Sequence, residues 1–341
     1  MNWGDLITLE YGKPVKDKDR WDGAIPVFGT NGQIGTSDLA PLCKHASFIL
    51  GRKGAYRGVH YSEVPFSVID TAFYAEAISD KVDLHWAYYK FLTYDINSMD
   101  SGSAIPSTDR YEIYSLPIDL PSLDVQKKIV AILDGIDRKI RLNRQINDNL
   151  LQQAQALYSD TFIANADSSW VTGRLADLII VRYGKDHKKL ADGRYPVYGS
   201  GGIMRYVERP LYTQESVLIP RKGTLNNVIY VNEPFWSVDT MFYTEMKEPN
   251  IAKFVFHFVK SKDLASMNAG SAVPSMTTDI LNALELPIPD SQTLERFEQS
   301  VNPMYRMIQA NNRESIKLGQ LRDSILPKLM SGEIDVSNLS F

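Results

Sequence analysis

The side chains with the clearest chemical potential in this sequence are cations set beside glycine. Gly51-Arg52-Lys53-Gly54 is followed by Tyr56 and Arg57, and Arg221-Lys222-Gly223 is followed by Asn226 and Asn227. A planar guanidinium can grip the O6 and N7 atoms of guanine, an asparagine amide suits the N6 and N7 atoms of adenine, and lysine is a point charge suited to phosphate. Glycine beside them lets backbone come close to a duplex. Arg52, Lys53, Tyr56, Arg57, Arg221, Lys222, Asn226 and Asn227 are therefore candidate DNA contacts. Ser103 and Ser271, in paired Gly-Ser-Ala loops, are weaker candidates. For any one of these residues a phosphate contact or a solvated charge is an equal alternative to base reading.

Other chemistry finds less support. No Gly-x-x-x-x-Gly-Lys-Ser/Thr occurs, so nucleotide hydrolysis has no phosphate loop to use. Asp70 and Asp239 recur at matched positions, but neither has a nearby Glu-x-Lys partner of the kind a metal-dependent nuclease needs. Hydrogen bonding within a turn is the better expectation for both. The single cysteine, Cys43, excludes an intrachain disulfide and any clustered-cysteine zinc site, and packing is its expected role. The five histidines show no i, i+4 pair. No catalytic residue, metal ligand or bound cofactor is expected in this chain.

The length of 341 residues suits two packed domains. No apolar run approaches the roughly 20 residues of a membrane span, and the start, Met1-Asn2-Trp3-Gly4-Asp5-Leu6, lacks the pattern of an export signal. A cytoplasmic protein without membrane contact is expected. A net charge of −4 argues against coating DNA by charge alone. Basic residues nevertheless cluster: Lys44, Arg52, Lys53 and Arg57 lie in an acid-free stretch, and Arg182, Lys185, Lys188, Lys189 and Arg194 face only Asp186 and Asp192. Local basic loops on an acidic chain suit a protein that shares the electrostatic work with a partner.

What positions these loops is a repeat. Pro26-Val27-Phe28-Gly29 returns as Pro196-Val197-Tyr198-Gly199, Phe48 to Gly54 as Val217 to Gly223, Asp70-Thr71 with Phe73-Tyr74 as Asp239-Thr240 with Phe242-Tyr243, and Leu116-Pro117-Ile118 as Leu286-Pro287-Ile288. The shift is about half the chain throughout, so the sequence is a tandem duplication. Within each copy, Ser47 to Leu50 and Ser216 to Ile219 read as strands, and Leu84 to Tyr94 and Ile251 to Leu264 as helical stretches.

A different texture follows each copy. Ile129, Ile132, Ile136, Ile140, Asn143, Ile146, Leu150, Ala154 and Leu157 step by about 3.5 residues, the period of a coiled-coil seam. Leu294, Phe297, Val301, Met304, Ile308, Asn311, Ser315, Leu318, Leu321, Ile325 and Leu329 repeat that period. A helix of about 40 residues spans roughly 60 Å. The expected fold is α+β: two mixed α/β domains, residues 1–123 and 166–290, separated by two long antiparallel coiled-coil helices, residues 124–165 and 291–332, with a tail of 333–341 and a pseudo-two-fold internal repeat.

Three runs then carry a resemblance: Ala104-Ile105-Pro106-Ser107-Thr108 with Leu116-Pro117-Ile118, Gln126-Lys127-Lys128-Ile129-Val130 leading into Leu133-Asp134-Gly135-Ile136-Asp137, and the ending Leu326-Pro327-Lys328-Leu329-Met330-Ser331-Gly332-Glu333-Ile334. In these runs and in the order domain, helix, domain, helix, the chain resembles type I restriction-modification specificity subunits. That resemblance implies two target recognition domains reading the two halves of a DNA site across an unread spacer. It also implies partners: double-stranded DNA, two methyltransferase subunits that use S-adenosylmethionine to methylate adenine, and a restriction subunit that supplies translocation. Val125 before Gln126, and Gln292-Thr293 at the second helix start, depart from the family pattern. They leave open the related subunit of a type IIB system, whose partner fuses methyltransferase and nuclease, and more remotely a coiled-coil scaffold with paired ligand domains. Asn302-Pro303-Met304-Tyr305 is similar to the Asn-Pro-Pro-Tyr loop of amino-methyltransferases, but Val301, Met304 and Ile308 keep it in phase with a helical seam. Pro303 is expected to kink or restart that helix.

Overall fold

A computed structural model describes residues 1–14, 23–99, 106–267 and 275–339. They form two compact units, one of Met1–Asn143 with Asn312–Phe341 and the other of Arg144–Asn311. The first unit holds β1 (Ile7–Tyr11), β2 (Ile25–Gly29), β3 (Gly32–Ser37), β4 (Ser47–Gly51), β5 (Val59–Ser62), β6 (Ser67–Val68) and β7 (Ala72–Ala77). After them come α1 (Leu84–Phe91), α2 (Arg110–Ser115) and the long α3 (Leu123–Ser159), which crosses into the second unit. The second unit continues with β8 (Val171–Arg174), α4 (Leu175–Leu178), β9 (Ile179–Tyr183), β10 (Asp192–Gly199), β11 (Gly202–Val207), β12 (Ser216–Pro220), β13 (Ile229–Val231), β14 (Trp236–Ser237) and β15 (Met241–Met246). The chain closes with α5 (Ala252–Lys260), α6 (Thr278–Asn282), β16 (Glu285–Ile288) and α7 (Ser291–Ser331).

The duplication is visible in the sheets. Strands run in the order β1-β7-β4-β5 in one unit and β9-β15-β12-β13 in the other, each beside a smaller sheet, β3-β2-β6 or β11-β10-β14. Even the irregularities match: the register of β2 with β3 shifts between Val27 and Phe28, and that of β10 with β11 between Val197 and Tyr198.

In the first unit α1 begins at Asp83, whose carboxylate accepts from the amides of His85 and Trp86. The helix buries Trp86, Tyr89 and Phe91 in a core that contains Trp3, Phe48, Ile129 and Leu133. Leu326, Leu329, Met330 and Val336 complete this core from the far end of the chain. Beyond Ser331 the described residues, 332–339, dock on this core: Val336 is buried, and Lys128 donates to the Ser337 carbonyl at 2.7 Å. Gln126 explains its place in the motif that opens α3. Its buried side chain accepts from Asp83 N at 2.8 Å and donates to the carbonyls of Lys81 and Pro121, tying the long helix to the start of α1.

Within each unit the two long helices pair antiparallel. In the first, Asp137 meets Arg322 at 2.7 Å and Asn143 donates to Glu314 at 2.8 Å and to Ser315 at 3.2 Å. In the second, Asn311 donates to Asn147 at 2.8 Å, and Ala154, Tyr158, Phe297, Val301 and Tyr305 share one core. Of the expected seam, Ile129, Ile140, Phe297 and Val301 are buried, and Ile132, Ile136, Leu150, Leu157, Met304, Ile308, Leu318 and Ile325 are half-buried. Two positions are corrected. Leu321 is 48% exposed and Ile146 41% exposed, because the seam runs through their neighbours Arg322 and Asn147. Apolar type misassigns the phase where polar residues occupy the inward positions. A further correction concerns Pro303. Helix α7 runs unbroken through it, since Pro303 lies on the exposed side while Val301 and Tyr305 anchor the turn on the buried side. The loss is one backbone hydrogen bond, within a helix held by its seam.

The second unit buries a histidine at the helix junction. His257 of α5 is fully buried, donates from Nδ1 to Gln155 Oε1 at 2.8 Å, and accepts at Nε2 from the Tyr305 hydroxyl at 2.9 Å. Burial, with Lys260 nearby, lowers its pKa from 6.5 to about 4. The unfolded chain therefore takes up this proton at a higher pH than the folded one. Stability is complete above pH 6.5 and declines as pH falls toward 4, by about 3 kcal/mol in all. Urea unfolding at pH 7 and at pH 4.5 checks this against His257→Gln, which keeps polar capacity without titrating. The wild-type decline should exceed that of the variant by roughly 2 to 3 kcal/mol; equal declines would contradict it.

Candidate nucleic-acid interface

The two Arg-Lys-Gly segments leave the ends of β4 and β12, and the backbone holds them in the same way. Amides of Arg52 and Lys53 donate to the Thr71 carbonyl at 2.8 and 3.1 Å; those of Arg221 and Lys222 donate to the Thr240 carbonyl at 2.9 and 3.2 Å. The Arg52 carbonyl accepts from Thr108 N and the Arg221 carbonyl from Met276 N, both at 2.9 Å. Lys53 and Lys222 each bridge to a serine, Ser107 and Ser275. Gly54 and Gly223 follow with φ of 129° and 84°, a backbone region that glycine alone enters without strain.

Each arginine side chain is also held. Arg52 Nη1 donates to the Asp70 carbonyl at 2.9 Å and Arg221 Nη1 to the Asp239 carbonyl at 3.0 Å. The paired aspartates thus serve the loops through their backbone, while their side chains face solvent. Below each guanidinium lies a tyrosine: Arg52 sits 4.7 Å from the Tyr11 ring and Arg221 5.4 Å from the Tyr183 ring. A carbonyl at one edge and a ring at one face set the plane of the guanidinium, whose other N–H groups make no further hydrogen bond among the described residues. Arg110 adds a second cation over Tyr11, at 5.0 Å.

Tyr11 and Tyr183 carry no prior suspicion from residue type, yet a repeat marks them. Tyr11-Gly12-Lys13 and Tyr183-Gly184-Lys185 are the same tripeptide at the ends of β1 and β9. Lys13 and Lys185 are both exposed, with amides donating at 2.8 Å to the carbonyls of Val68 and Ser237. An exposed lysine thus follows, two residues on, the tyrosine that lies against each arginine.

Other candidates divide. Tyr56 is 64% exposed on the first loop, and Lys222 is exposed on the second. Arg57 is corrected: it is 2% exposed, with Nη2 donating to the carbonyls of Ile96, Asn97 and Met99 at 2.8 to 3.2 Å. A guanidinium spent on three carbonyls of its own fold has no reach toward a duplex. Asn226 is exposed but is engaged within its own fold, since it donates to Asp263 and accepts from Ala265 N, each at 3.0 Å. Asn227 donates to the Ser200 carbonyl at 2.7 Å and is likewise committed to its loop. Arg57 and Asn226 stand at matched places in the two copies, each fastening its loop to the segment after α1 or α5. Ser103 and Ser271 lie outside the described residues.

Comparison with known proteins agrees with this architecture. The family described as type I restriction modification DNA specificity domain matches residues 1–152 and 167–316. A type I restriction enzyme specificity subunit of Methanocaldococcus jannaschii, MjaIX, is 20% identical over 76% of this chain and 71% of its own length. A putative type I specificity subunit of Mycoplasma pneumoniae is 22% identical over 94% of this chain and 90% of its own. In fold, the crystal structure of a type I restriction-modification system S subunit from M. genitalium superposes with a TM-score of 0.64, covering 96% of this chain and 95% of that one at 18% identity. The family match covers both copies of the duplication, and the chain belongs to the type I restriction-modification specificity subunits, with two DNA specificity domains in tandem.

Proposed function

We propose that this chain reads a bipartite DNA site, one half with each domain, and contributes recognition rather than catalysis to a restriction-modification complex. The observation that carries the reading is the matched pair of guanidinium groups. Arg52 and Arg221 are oriented by equivalent carbonyls and equivalent tyrosines on two copies of one fold. Preset orientation is what a bidentate contact to guanine O6 and N7 requires. The residues around each arginine differ between the copies, Tyr56 in one and Lys222 in the other being the exposed neighbours, so the two half-sites differ.

The partners in this reading are double-stranded DNA and two adenine methyltransferase subunits carrying S-adenosylmethionine, with the long helices as their docking surface and a restriction subunit added for cleavage. Polar flanks along the helices and a net negative chain suit a subunit whose DNA affinity is shared with partners. A type IIB assembly, with methyltransferase and nuclease fused in the partner, uses the same recognition chain. Cytoplasmic residence follows from such a role, and among the described residues no helix is long and apolar enough to cross a membrane.

Sequencing the methylated sites made in cells by the whole complex tests this reading. Arg52→Ala should relax the first half-site alone and Arg221→Ala the second alone, each at a cost of about 1 to 3 kcal/mol in discrimination. Uniform weakening on all sequences would overturn the base-reading role and leave phosphate contacts. Arg57→Ala provides a contrast from the same loop. It should lower the unfolding free energy of its unit by roughly 3 kcal/mol, because it strands buried carbonyls, whereas Tyr56→Ala should leave stability within about 0.5 kcal/mol and weaken DNA binding. Denaturant titration and fluorescence anisotropy on duplex DNA separate the two; a stable Arg57→Ala with altered site choice would reverse the assignment.

A further inference from the structure

Away from the arginine loops, the first unit gathers three side chains that the second copy does not. Cys43, His45 and Glu76 place one ligand atom each within 4.8 Å of the others, the one such grouping found among the described residues. Sγ lies 3.9 Å from His45 Nε2, and Nε2 lies 2.6 Å from Glu76 Oε2. Tetrahedral zinc bound by sulfur, nitrogen and oxygen sets the three ligand–ligand edges at about 3.3 to 3.5 Å, so side-chain shifts on the order of 1 Å bring the trio to the coordination geometry. The other ring nitrogen is already occupied in the manner of a metal ligand: His45 Nδ1 donates to the Ala46 carbonyl at 3.0 Å, which leaves Nε2 facing Glu76, while Sγ lies 3.9 Å from both ring nitrogens, so that a turn of the ring is needed to aim Nε2 at an ion shared with Cys43.

We propose that Cys43, His45 and Glu76 form a three-ligand site for a divalent transition-metal ion, Zn2+ foremost, with solvent in the fourth position. The scaffold is rigid where it needs to be. Paired amide-carbonyl bonds at 3.0 Å lock Cys43 against Phe66, and its thiol is buried beside Phe28 and Ile49. His45 and Glu76 are partly open to solvent, with side chains 47% and 35% exposed, which leaves an entry path and room for a water ligand. Without metal, the Nε2 proton sits between imidazole and carboxylate, and the thiol donates to the His45 carbonyl at 3.3 Å. Binding replaces the S–H and Nε2–H bonds with S–metal and N–metal bonds and passes both protons to solvent. The ion would fasten the segment before β4 to β7. The second copy is a built-in contrast: Tyr212, Gln214 and Glu245 stand at the matched positions, and Glu245 pairs with Arg182 at 3.1 Å instead.

The test uses the full chain, stripped with a chelator and titrated with Co2+ as a spectroscopic substitute for Zn2+. A thiolate-to-Co2+ charge-transfer absorption should rise to saturation at a single ion per chain and disappear when Zn2+ is added. Cys43→Ser should abolish it. His45→Gln, the residue of the second copy, and Glu76→Gln should each weaken binding by roughly tenfold or more, with unchanged far-ultraviolet circular dichroism. Because His45 and Glu76 are at the surface, these variants carry the test even if Cys43→Ser fails to fold. Absence of the charge-transfer band, or equal Co2+ affinity in His45→Gln, would overturn the site.

Discussion

A long helix with an apolar stripe on one side stays folded in water only if another surface covers that stripe. Here the cover for the first half of α3 is the last part of α7, from the opposite end of the chain, and the cover for its second half is the first part of α7. The first unit is consequently made of two segments from opposite ends of the chain, Met1–Asn143 and Asn312–Phe341, whereas the second, Arg144–Asn311, is continuous. The first unit's core is finished by Leu326, Leu329, Met330 and Val336, so its recognition fold and the C-terminal segment form one cooperative structure. Polar groups sit in the inward positions near the unit boundaries, Asn143 with Glu314 and Ser315, and Asn147 with Asn311. Such groups contribute little net stability when paired but penalise any sliding of the helices, which would leave them buried without partners.

The recognition domains show what a duplication keeps when the loops diverge. Backbone bonds to Thr71 and Thr240, the left-handed glycines and the tyrosine under each arginine hold two loops alike. At the position after them, arginine in one copy and asparagine in the other solve the same mechanical problem, joining the loop to the segment behind it, with different hydrogen-bond chemistry. The side chains proposed to read DNA, Arg52 and Arg221, are ones that the fold orients by a single carbonyl each.

Much of this was legible in residue order. The repeat located both loops and the strands before them, and the 3.5-residue period located both helices and most of their seam. Where that reading slipped, a specific physical reason is visible. Ile146 and Leu321 are apolar neighbours of polar seam positions, and residue type alone pointed to the wrong phase. Arg57 has the type and spacing of a DNA contact, yet only three-dimensional structure could show it buried under three carbonyls. Tyr11 and Tyr183 were within reach, since the Tyr-Gly-Lys repeat marks them. Cys43 and His45 lie 31 or more residues from Glu76, too far for any spacing motif to connect them.

The dependence of the first unit on the far end of the chain is open to one direct measurement: native-state hydrogen exchange on the chain truncated after Asn311. Loss of Asn312–Phe341 should abolish amide protection in α1 and in α3 up to Asn143, and leave protection in the sheet of β9, β15, β12 and β13 close to that of the full chain. Undiminished protection in α1 would contradict the account, because it would mean that the first recognition domain completes its core without the second helix.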